Sequence, residues 1–302
     1  MTILTVNHVT TYTYSRPVGL GEHRMMLRPR DSYDQRLLNA TLDIDPKPQR
    51  LTWIHDVFDN CVTVASFNGL TQRLRVESNI TLDHSPLNGP EFLLEDRARF
   101  YPFSYGAEEM PDLSRAIERG QPDPSGELDR WVRRFVHHGR PTETGQLLMT
   151  LTYAIKEGFS YERRTKGGAQ SPLQTLARGR GSCRDFAALM MEAARALGLA
   201  ARFVSGYLYV PDRDSGERYL GGGSTHAWCQ VYLPGAGWVE FDPTNGIVGN
   251  RDLIRVAVAR EARQAIPLYG SFFGSAADEE GMVVSVNVRR LPDGELLAAD
   301  RR

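Results

Sequence analysis

Three residues of this chain have the types and the order that thiol catalysis needs: Cys183, His226 and Asp242. A cysteine attacks a carbonyl carbon as a thiolate, so it needs a base that takes its proton, and that base needs a third group that fixes its tautomer. Histidine suits the role of base because its ordinary pKa lies near neutral pH. The three residues therefore predict a nucleophile, a general base and acid, and an orienting carboxylate.

The helix that must present Cys183 is marked at both of its ends. Ser182 and Asp185 are spaced as the N-cap and N3 residues of a capping box, and Gly198 is placed to end the helix. Cys183 would then be the first helical residue. There the helix dipole favours a thiolate, and the backbone N–H of Cys183 is free to stabilise an oxyanion. Apolar residues at helical spacing predict that the rest of the helix is buried: Phe186, Leu189, Met190, Ala193 and Leu197.

His226 and Asp242 lie in two strand-like segments, 225–233 and 238–244, which a Pro-Gly-Ala-Gly turn separates. Facing residues of an antiparallel hairpin have numbers with a constant sum, so His226 stands opposite Asp242 only if that sum is 468. This pairing needs a loop of three or five residues, or a bulge. A four-residue loop would put the two side chains on opposite faces of the sheet.

Each of these residues also has an ordinary explanation. Free cysteines usually pack in a core, and this is how we interpret Cys61 and Cys229, which lie in strand-like runs. His226 could be a half-buried strand histidine, and Asp242 could be the turn residue before a proline. We favour the catalytic interpretation because three such coincidences would have to occur in the order that a triad needs.

The rest of the chain predicts the elements that hold these segments. Alternating and β-branched residues predict strands up to about residue 90, followed by an irregular connector to about residue 120. Helices are predicted at about 125–137 and 144–157, and strands at 201–210 and 282–289 are expected to complete a second sheet with the hairpin.

Four segments of the sequence resemble the transglutaminase-like superfamily, and within it bacterial proteins regarded as cysteine proteases. The matching segments are Gly-Arg-Gly-Ser-Cys-Arg-Asp-Phe-Ala at 179–187, Leu-Gly-Leu-Ala-Ala-Arg-Phe-Val-Ser-Gly-Tyr at 197–207, His-Ala-Trp at 226–228 and Gly-Trp-Val-Glu-Phe-Asp-Pro-Thr at 237–244. The resemblance implies an α+β fold, with a papain-like core of a helical half and an antiparallel sheet. It implies a small sandwich-like β domain over residues 1–90, and a catalytic core with connector and C-terminal segment over 91–302. It also implies the same roles for Cys183, His226 and Asp242.

The resemblance leaves the reaction open, because active members share a thioester intermediate that either water or an amine resolves. We expect hydrolysis of a peptide or isopeptide bond in a peptide or protein substrate. The alternatives are transfer to a primary amine and, in another class, a catalytically silent protein-binding module. Gln170, Gln174 and Trp228 are candidates for a second oxyanion donor, although Gln174 also fits a capping box. Trp228 and Arg184 are expected to line the substrate cleft.

The composition limits the partners and the location of the protein. With 36 basic and 37 acidic residues among 302, the net charge of −1 points to neither nucleic acid nor an anionic membrane as partner. No Cys-x-x-Cys or His-Glu-x-x-His spacing occurs, so we expect neither a metal nor a cofactor. Three cysteines give no disulfide framework, and no signal-like or membrane-spanning segment is seen, so we expect the cytoplasm. The oligomeric state stays open.

Overall fold

The computed structural model describes residues 2–86, 93–164, 167–210, 220 and 223–291. The strands, in chain order, are β1 Thr2–Met25, β2 Gln35–Asp45, β3 Arg50–His55, β4 Cys61–Ser66, β5 Leu70–His84, β6 Phe100–Tyr101, β7 Thr142–Glu143, β8 Ser160–Tyr161, β9 Arg180–Gly181, β10 Ala201–Leu208, β11 His226–Leu233, β12 Gly237–Asp242, β13 Ile247–Val248, β14 Leu253–Ala259, β15 Leu268–Phe273 and β16 Glu279–Arg290. The α-helices are α1 Met110–Ile117, α2 Glu127–Arg133, α3 Thr144–Gly158, α4 Pro172–Arg178 and α5 Cys183–Ala196. Strands outweigh helices, and the two kinds of element come in separate runs, as an α+β fold requires.

The N-terminal strands form one antiparallel sheet in the order β2-β5-β1-β4-β3, and β15 and β16 also pair with β1. The sequence predicts a small sandwich here, but all seven strands belong to a single hydrogen-bonded sheet. The reason is that β1, with 24 residues, and β5, with 15, are long enough to run through both halves of the sheet. The sequence divides β1 into shorter predicted strands because its alternation of apolar residues is interrupted after Tyr14.

The C-terminal strands correct a second expectation. Residues 282–289 are predicted to complete the second sheet, but β16 pairs with the first half of β1, from Leu4 with Arg290 to Tyr14 with Glu279. The C-terminal part of the predicted catalytic core therefore joins the N-terminal sheet. The predicted boundary between residues 90 and 91 lies outside the described residues, so the division into 1–90 and 91–302 stays a prediction.

The second sheet has the order β13-β12-β11-β10-β14, and every neighbouring pair in it is antiparallel. Helix α5 packs against one face, where odd-numbered strand residues such as Phe203, Cys229 and Phe241 share its core. The apolar residues predicted for the inner side of α5 are all buried, and Gly198, with a φ of 76°, follows the end of the helix. The main core of the molecule thus holds the helix that carries Cys183.

The two sheets pack on each other through a smaller apolar cluster. Leu4, Val6 and Ile80 of the first sheet contact Tyr207 and Ile254 of the second. This contact fixes the N-terminal sheet on the side of β10 and β14.

The connector differs from its prediction because the segment predicted to be irregular contains α1, an eight-residue helix with a proline in its first turn. Helix α2 is shorter than its predicted span of 125–137. No helix in the described part of the chain is long and apolar enough to cross a membrane.

Candidate active site

Cys183 is the first residue of α5, as the sequence predicts, and 7% of its surface is exposed. A residue in this position has no acceptor for its N–H within the helix. Ser182 before it has extended backbone angles and acts as the N-cap. The thiol therefore lies at the positive end of a buried helix, beside a free backbone donor.

Asp185 holds this helix start in place. Its fully buried carboxylate accepts hydrogen bonds from the Ser182 N–H at 2.7 Å, the Ser182 hydroxyl at 2.9 Å and the Gln170 N–H at 2.6 Å, and it pairs with Arg164 at 2.6 Å. Burial alone would raise the pKa of Asp185, but these hydrogen bonds and the guanidinium outweigh it and lower the pKa. The predicted capping box is thus confirmed on its Asp185 side, with further partners that the sequence did not suggest.

His226 and Asp242 form a fully buried pair in which Nε2 of the imidazole lies 2.8 Å from the carboxylate. Burial alone would lower the pKa of His226, but the charge and hydrogen bond of Asp242, followed by the contribution of Cys183, outweigh it and raise the pKa. Burial alone would raise the pKa of Asp242, but His226 and two further donors outweigh it and lower the pKa. The pair thus favours an imidazolium next to a carboxylate.

The register that brings the pair together differs from the predicted one. Cys229 faces Phe241 and Leu233 faces Gly237, so facing residues add to 470 rather than 468. A three-residue loop connects the strands. Because the sum is even, the side chains of Asp242 and His226 still lie on the same face of the sheet. The prediction that His226 stands directly opposite Asp242 is therefore wrong. The hydrogen bond between the two residues runs diagonally across the hairpin.

The other ring nitrogen of His226, Nδ1, is buried without a nitrogen or oxygen partner in the described part of the chain. The Cys183 side chain interacts with this imidazole and helps to raise its pKa, although the geometry is not that of a well-formed hydrogen bond. Such contacts are often long or poorly aligned in resting enzymes. The structure therefore pairs His226 with Asp242 and places the Cys183 side chain close enough to influence the imidazole.

Asn245 is a site residue that the sequence analysis missed. Its side-chain amide donates to the Asp242 carboxylate at 2.8 Å and to the Leu220 carbonyl at 3.2 Å, and its oxygen accepts from the Leu220 N–H at 2.7 Å. The Thr244 N–H also donates to Asp242, at 2.9 Å. The signal available was the Asp-Pro-Thr-Asn-Gly run, because such residues close tight turns with side-chain hydrogen bonds.

Tyr161 on β8 was also missed. Burial and the nearby Cys183 and Asp242 raise its pKa to about 12. The phenol is therefore neutral at ordinary pH and can donate a hydrogen bond close to the thiol. Only the parallel pairing of Tyr161 with Gly181, just before the helix, reveals this position.

Gln170 and Gln174, two candidates for the second oxyanion donor, make hydrogen bonds to other groups. The side-chain amide of Gln170 donates to Asp185 at 3.1 Å and to the Arg180 carbonyl at 3.3 Å. Gln174 is exposed and closes the capping box at Ser171, as predicted, by accepting its N–H at 3.1 Å. The side chains of Gln170, just before α4, and of Gln174, in the first turn of α4, are therefore both engaged in hydrogen bonds.

Trp228 and Arg184, which the sequence analysis expects to line the substrate cleft, make other contacts in the structure. Trp228 is fully buried and stacks on His226 with a ring separation of 5.9 Å, so it backs the imidazole instead of lining an open cleft. Its indole N–H has no acceptor in the described residues. Arg184 is half-buried and donates to the Arg164 carbonyl at 3.1 Å, which ties α5 to the segment that carries Arg164.

The other two cysteines differ from Cys183 in their surroundings. Cys229 is fully buried in the main core, and burial raises the pKa of its thiol. Cys61 is half-buried, and burial raises its pKa as well. Cys61 does have a histidine across its hairpin, which the sequence analysis did not expect, but the sulfur lies 3.8 Å from the His55 nitrogen.

Comparison with known proteins identifies similar chains. A model of the bacterial transglutaminase-like N-terminal region matches residues 4–83, and a model of the transglutaminase-like superfamily matches residues 130–243. Uncharacterized proteins of Mycobacterium tuberculosis (strain ATCC 25618 / H37Rv) and Mycobacterium leprae are 29% and 26% identical to this chain, of which the alignments cover 97% and 93%. The same alignments cover 94% and 97% of those two proteins.

A similar fold is found among solved structures. The crystal structure of a "Putative Cysteine Protease" from Cytophaga hutchinsonii superposes with a TM-score of 0.71 at 19% identity. The superposition covers 96% of this chain and 91% of that chain. At this level of identity the comparison shows that the two proteins share a fold across both sheets.

Proposed function

This chain belongs to the transglutaminase-like superfamily, and on that premise we propose that it is a cysteine-dependent hydrolase of peptide or isopeptide bonds. The observation that carries the proposal is the buried hydrogen bond between His226 and Asp242, together with the position of Cys183 at the start of α5, where its side chain helps to raise the pKa of His226. Cys183 is the nucleophile, His226 the general base and acid, and Asp242 the residue that orients the imidazole.

The geometry supports a sequence of proton transfers through Nδ1 of His226. The Cys183 thiol gives its proton to Nδ1, and the sulfur attacks the carbonyl carbon of the scissile amide. The Cys183 N–H donates to the resulting oxyanion. When the C–N bond breaks, His226 returns the proton to the leaving amine, and a thioester remains on the enzyme.

Water then resolves the thioester. His226 takes a proton from the attacking water, the C–S bond breaks, and the proton returns to the Cys183 sulfur as the acid leaves. Trp228, the remaining candidate for a second oxyanion donor, has its indole N–H buried without an acceptor in the described residues. We also propose a cytoplasmic location, because free thiols persist in reducing compartments; fractionation of the source cells would test it.

The first test is the alkylation rate of each cysteine by iodoacetamide, followed by mass spectrometry between pH 5 and pH 9. We expect Cys183 to react faster than Cys61 below pH 7, although Cys61 is the more exposed of the two. In the His226→Ala variant this advantage should disappear. If Cys183 proves as inert as the fully buried Cys229, the triad is not activated and the binding-module interpretation replaces this proposal.

The second test separates hydrolysis from transfer. A peptide mixture is incubated with the wild-type protein and with Cys183→Ala, with and without a primary amine such as biotinylated pentylamine. Hydrolysis adds the mass of water to the products and is unaffected by the amine. Products that instead carry the amine would assign the protein to the amine-transferring class.

A further inference from the structure

A cavity of about 660 Å³ lies between the segment after β1 and the second sheet, and Cys183, His226 and Asp242 are not among the residues that line it. Its walls come from the segment after β1, which includes Arg30 and Asp34, and from strands of the second sheet. The even-numbered residues Arg202, Gln230 and Trp238 line it, whereas α5 packs on the opposite face of these strands, among odd-numbered residues. The volume falls in the range of small-molecule sites, which often lie between domains.

The charged groups of this cavity are unequally paired. Arg255 contacts two carboxylates, those of Asp34 at 3.2 Å and Glu240 at 2.7 Å. Arg202 makes no ion pair with any residue that the structure describes. Its Nε donates to the Gln230 oxygen at 2.7 Å, and the two terminal nitrogens of the guanidinium have no acceptor within the described part of the chain.

The position of Arg202 is fixed although it makes no direct ion pair with any described residue. Its guanidinium lies over the Trp238 ring, 4.1 Å from the ring centre. This contact and the hydrogen bond to Gln230 together hold the guanidinium in one orientation. Burial lowers the pKa of Arg202 to about 10 and Arg255 lowers it further, whereas the charge of the nearby Glu240 raises it in part. A largely buried cation that has no carboxylate in direct contact among the described residues would be stabilised by an anion bound at its terminal nitrogens.

We propose that this cavity binds a small monocarboxylate with an apolar body, and that the two terminal nitrogens of the Arg202 guanidinium donate hydrogen bonds to the carboxylate. A planar guanidinium with two unused nitrogens matches a carboxylate with two parallel hydrogen bonds. Phe58, Val239 and Val258 provide apolar wall for the rest of the ligand. The carboxylates that share the cavity with Arg202 disfavour a dianion such as phosphate. A dianion would bring two more negative charges into the cavity, and among the described residues only the charge of Arg202 is available to attract them.

The test compares two probes of similar shape, N-acetyl-L-leucine and N-acetyl-L-leucinamide, in which a carboxylate is replaced by a neutral carboxamide, by isothermal titration calorimetry on the full chain. We expect the acid to bind the wild-type protein at least ten times more tightly than the amide. Arg202→Gln should remove this preference, and Arg202→Lys should retain part of it. The control Arg50→Gln changes an exposed arginine of β3 outside the cavity and should leave both affinities unchanged.

Three results would overturn the proposal. Equal binding of acid and amide by the wild-type protein excludes charge recognition and does not depend on whether any variant folds. Displacement of the acid by inorganic phosphate at equal concentration shows an unselective anion site. Loss of acid binding in Cys183→Ser places the probe at the thiol, whereas unchanged binding there supports the cavity whatever becomes of the proposed hydrolase activity.

Discussion

Replacement of Asp185 by asparagine tests whether a buried carboxylate holds the start of α5. The carboxylate faces donors on both oxygens, from the Ser182 N–H, the Gln170 N–H and Arg164. An asparagine amide can satisfy the donors at one oxygen position only, and at the other its NH₂ group opposes them. Neutralising one partner of a buried ion pair costs about 3–5 kcal/mol. Since 23% of the Arg164 side chain is exposed, solvent offsets part of this loss, and we expect about 3 kcal/mol.

The assay is urea unfolding of wild-type protein and Asp185→Asn, with the free energy of unfolding extrapolated to water. The folded pKa of Asp185 is lowered, so its contribution is present above the ordinary carboxyl pKa and is lost as the pH falls through the folded value. The difference between the two proteins should therefore be full at pH 7 and shrink below about pH 4. Alkylation of Cys183 should also slow at pH 7, because Ser182 no longer has a fixed position.

The control is Asp45→Asn, which removes an ion pair with Arg73 whose two side chains are both more than half exposed. It should leave the free energy of unfolding unchanged within error, because exposed pairs contribute little. A loss below about 1 kcal/mol in Asp185→Asn, or a loss of the same size at pH 7 and pH 3, would show that Asp185 does not hold the helix start as a carboxylate.

Three further predictions concern the pair behind the thiol. Asn245→Ala should slow alkylation of Cys183 about fivefold, because Asp242 loses one hydrogen bond of roughly 1 kcal/mol; an unchanged rate would limit Asn245 to a structural role. Gly206→Ala should lower the free energy of unfolding by about 1–3 kcal/mol, since a Cβ there would overlap the Ile254 carbonyl oxygen and lie 2.7 Å from the Trp228 ring; a neutral result would mean that both β14 and the ring can shift. The raised pKa of His226 means that its protonated form stabilises the fold fully below its ordinary pKa, and that this contribution is lost as the pH rises through the folded value. The difference in unfolding free energy between wild type and His226→Gln should therefore fall from pH 6 to pH 10, and a difference that grows would contradict the direction of the shift.

The parts of the site that depend on local sequence could be predicted. A capping pattern and a run of apolar residues identify the first residue of α5, because both act within a few residues of Cys183. The facing of His226 and Asp242 could be given only as a condition on the length of the loop, because the sequence did not decide between a loop that keeps the two on one face and a loop that separates them. The turn between the strands determines how many residues the loop takes, and a shift of two preserves the face while it changes the partner.

The parts that depend on distant contacts could not be predicted. Arg164 and Tyr161 reach the site through the pairing of two short strands, and no pattern near either residue indicates that pairing. The pairing of β16 with β1 was missed for the same reason, because any strand with alternating residues fits either sheet. The Arg202 guanidinium, whose terminal nitrogens have no partner among the described residues, likewise becomes visible only when its neighbours are placed around it.

The pairing of β1 with β16 has a consequence for how the chain is made. Thr5 pairs with Arg289, which the ribosome adds 284 residues later. Until then β1 has β5 on one side, but its other edge between Leu4 and Tyr14 lacks its native partner. An open strand edge is a template for wrong pairing, and contacts this distant in sequence form slowly. The sheet whose first strands are synthesised early is therefore completed only when β16 has emerged, and the nascent chain must avoid aggregation until then.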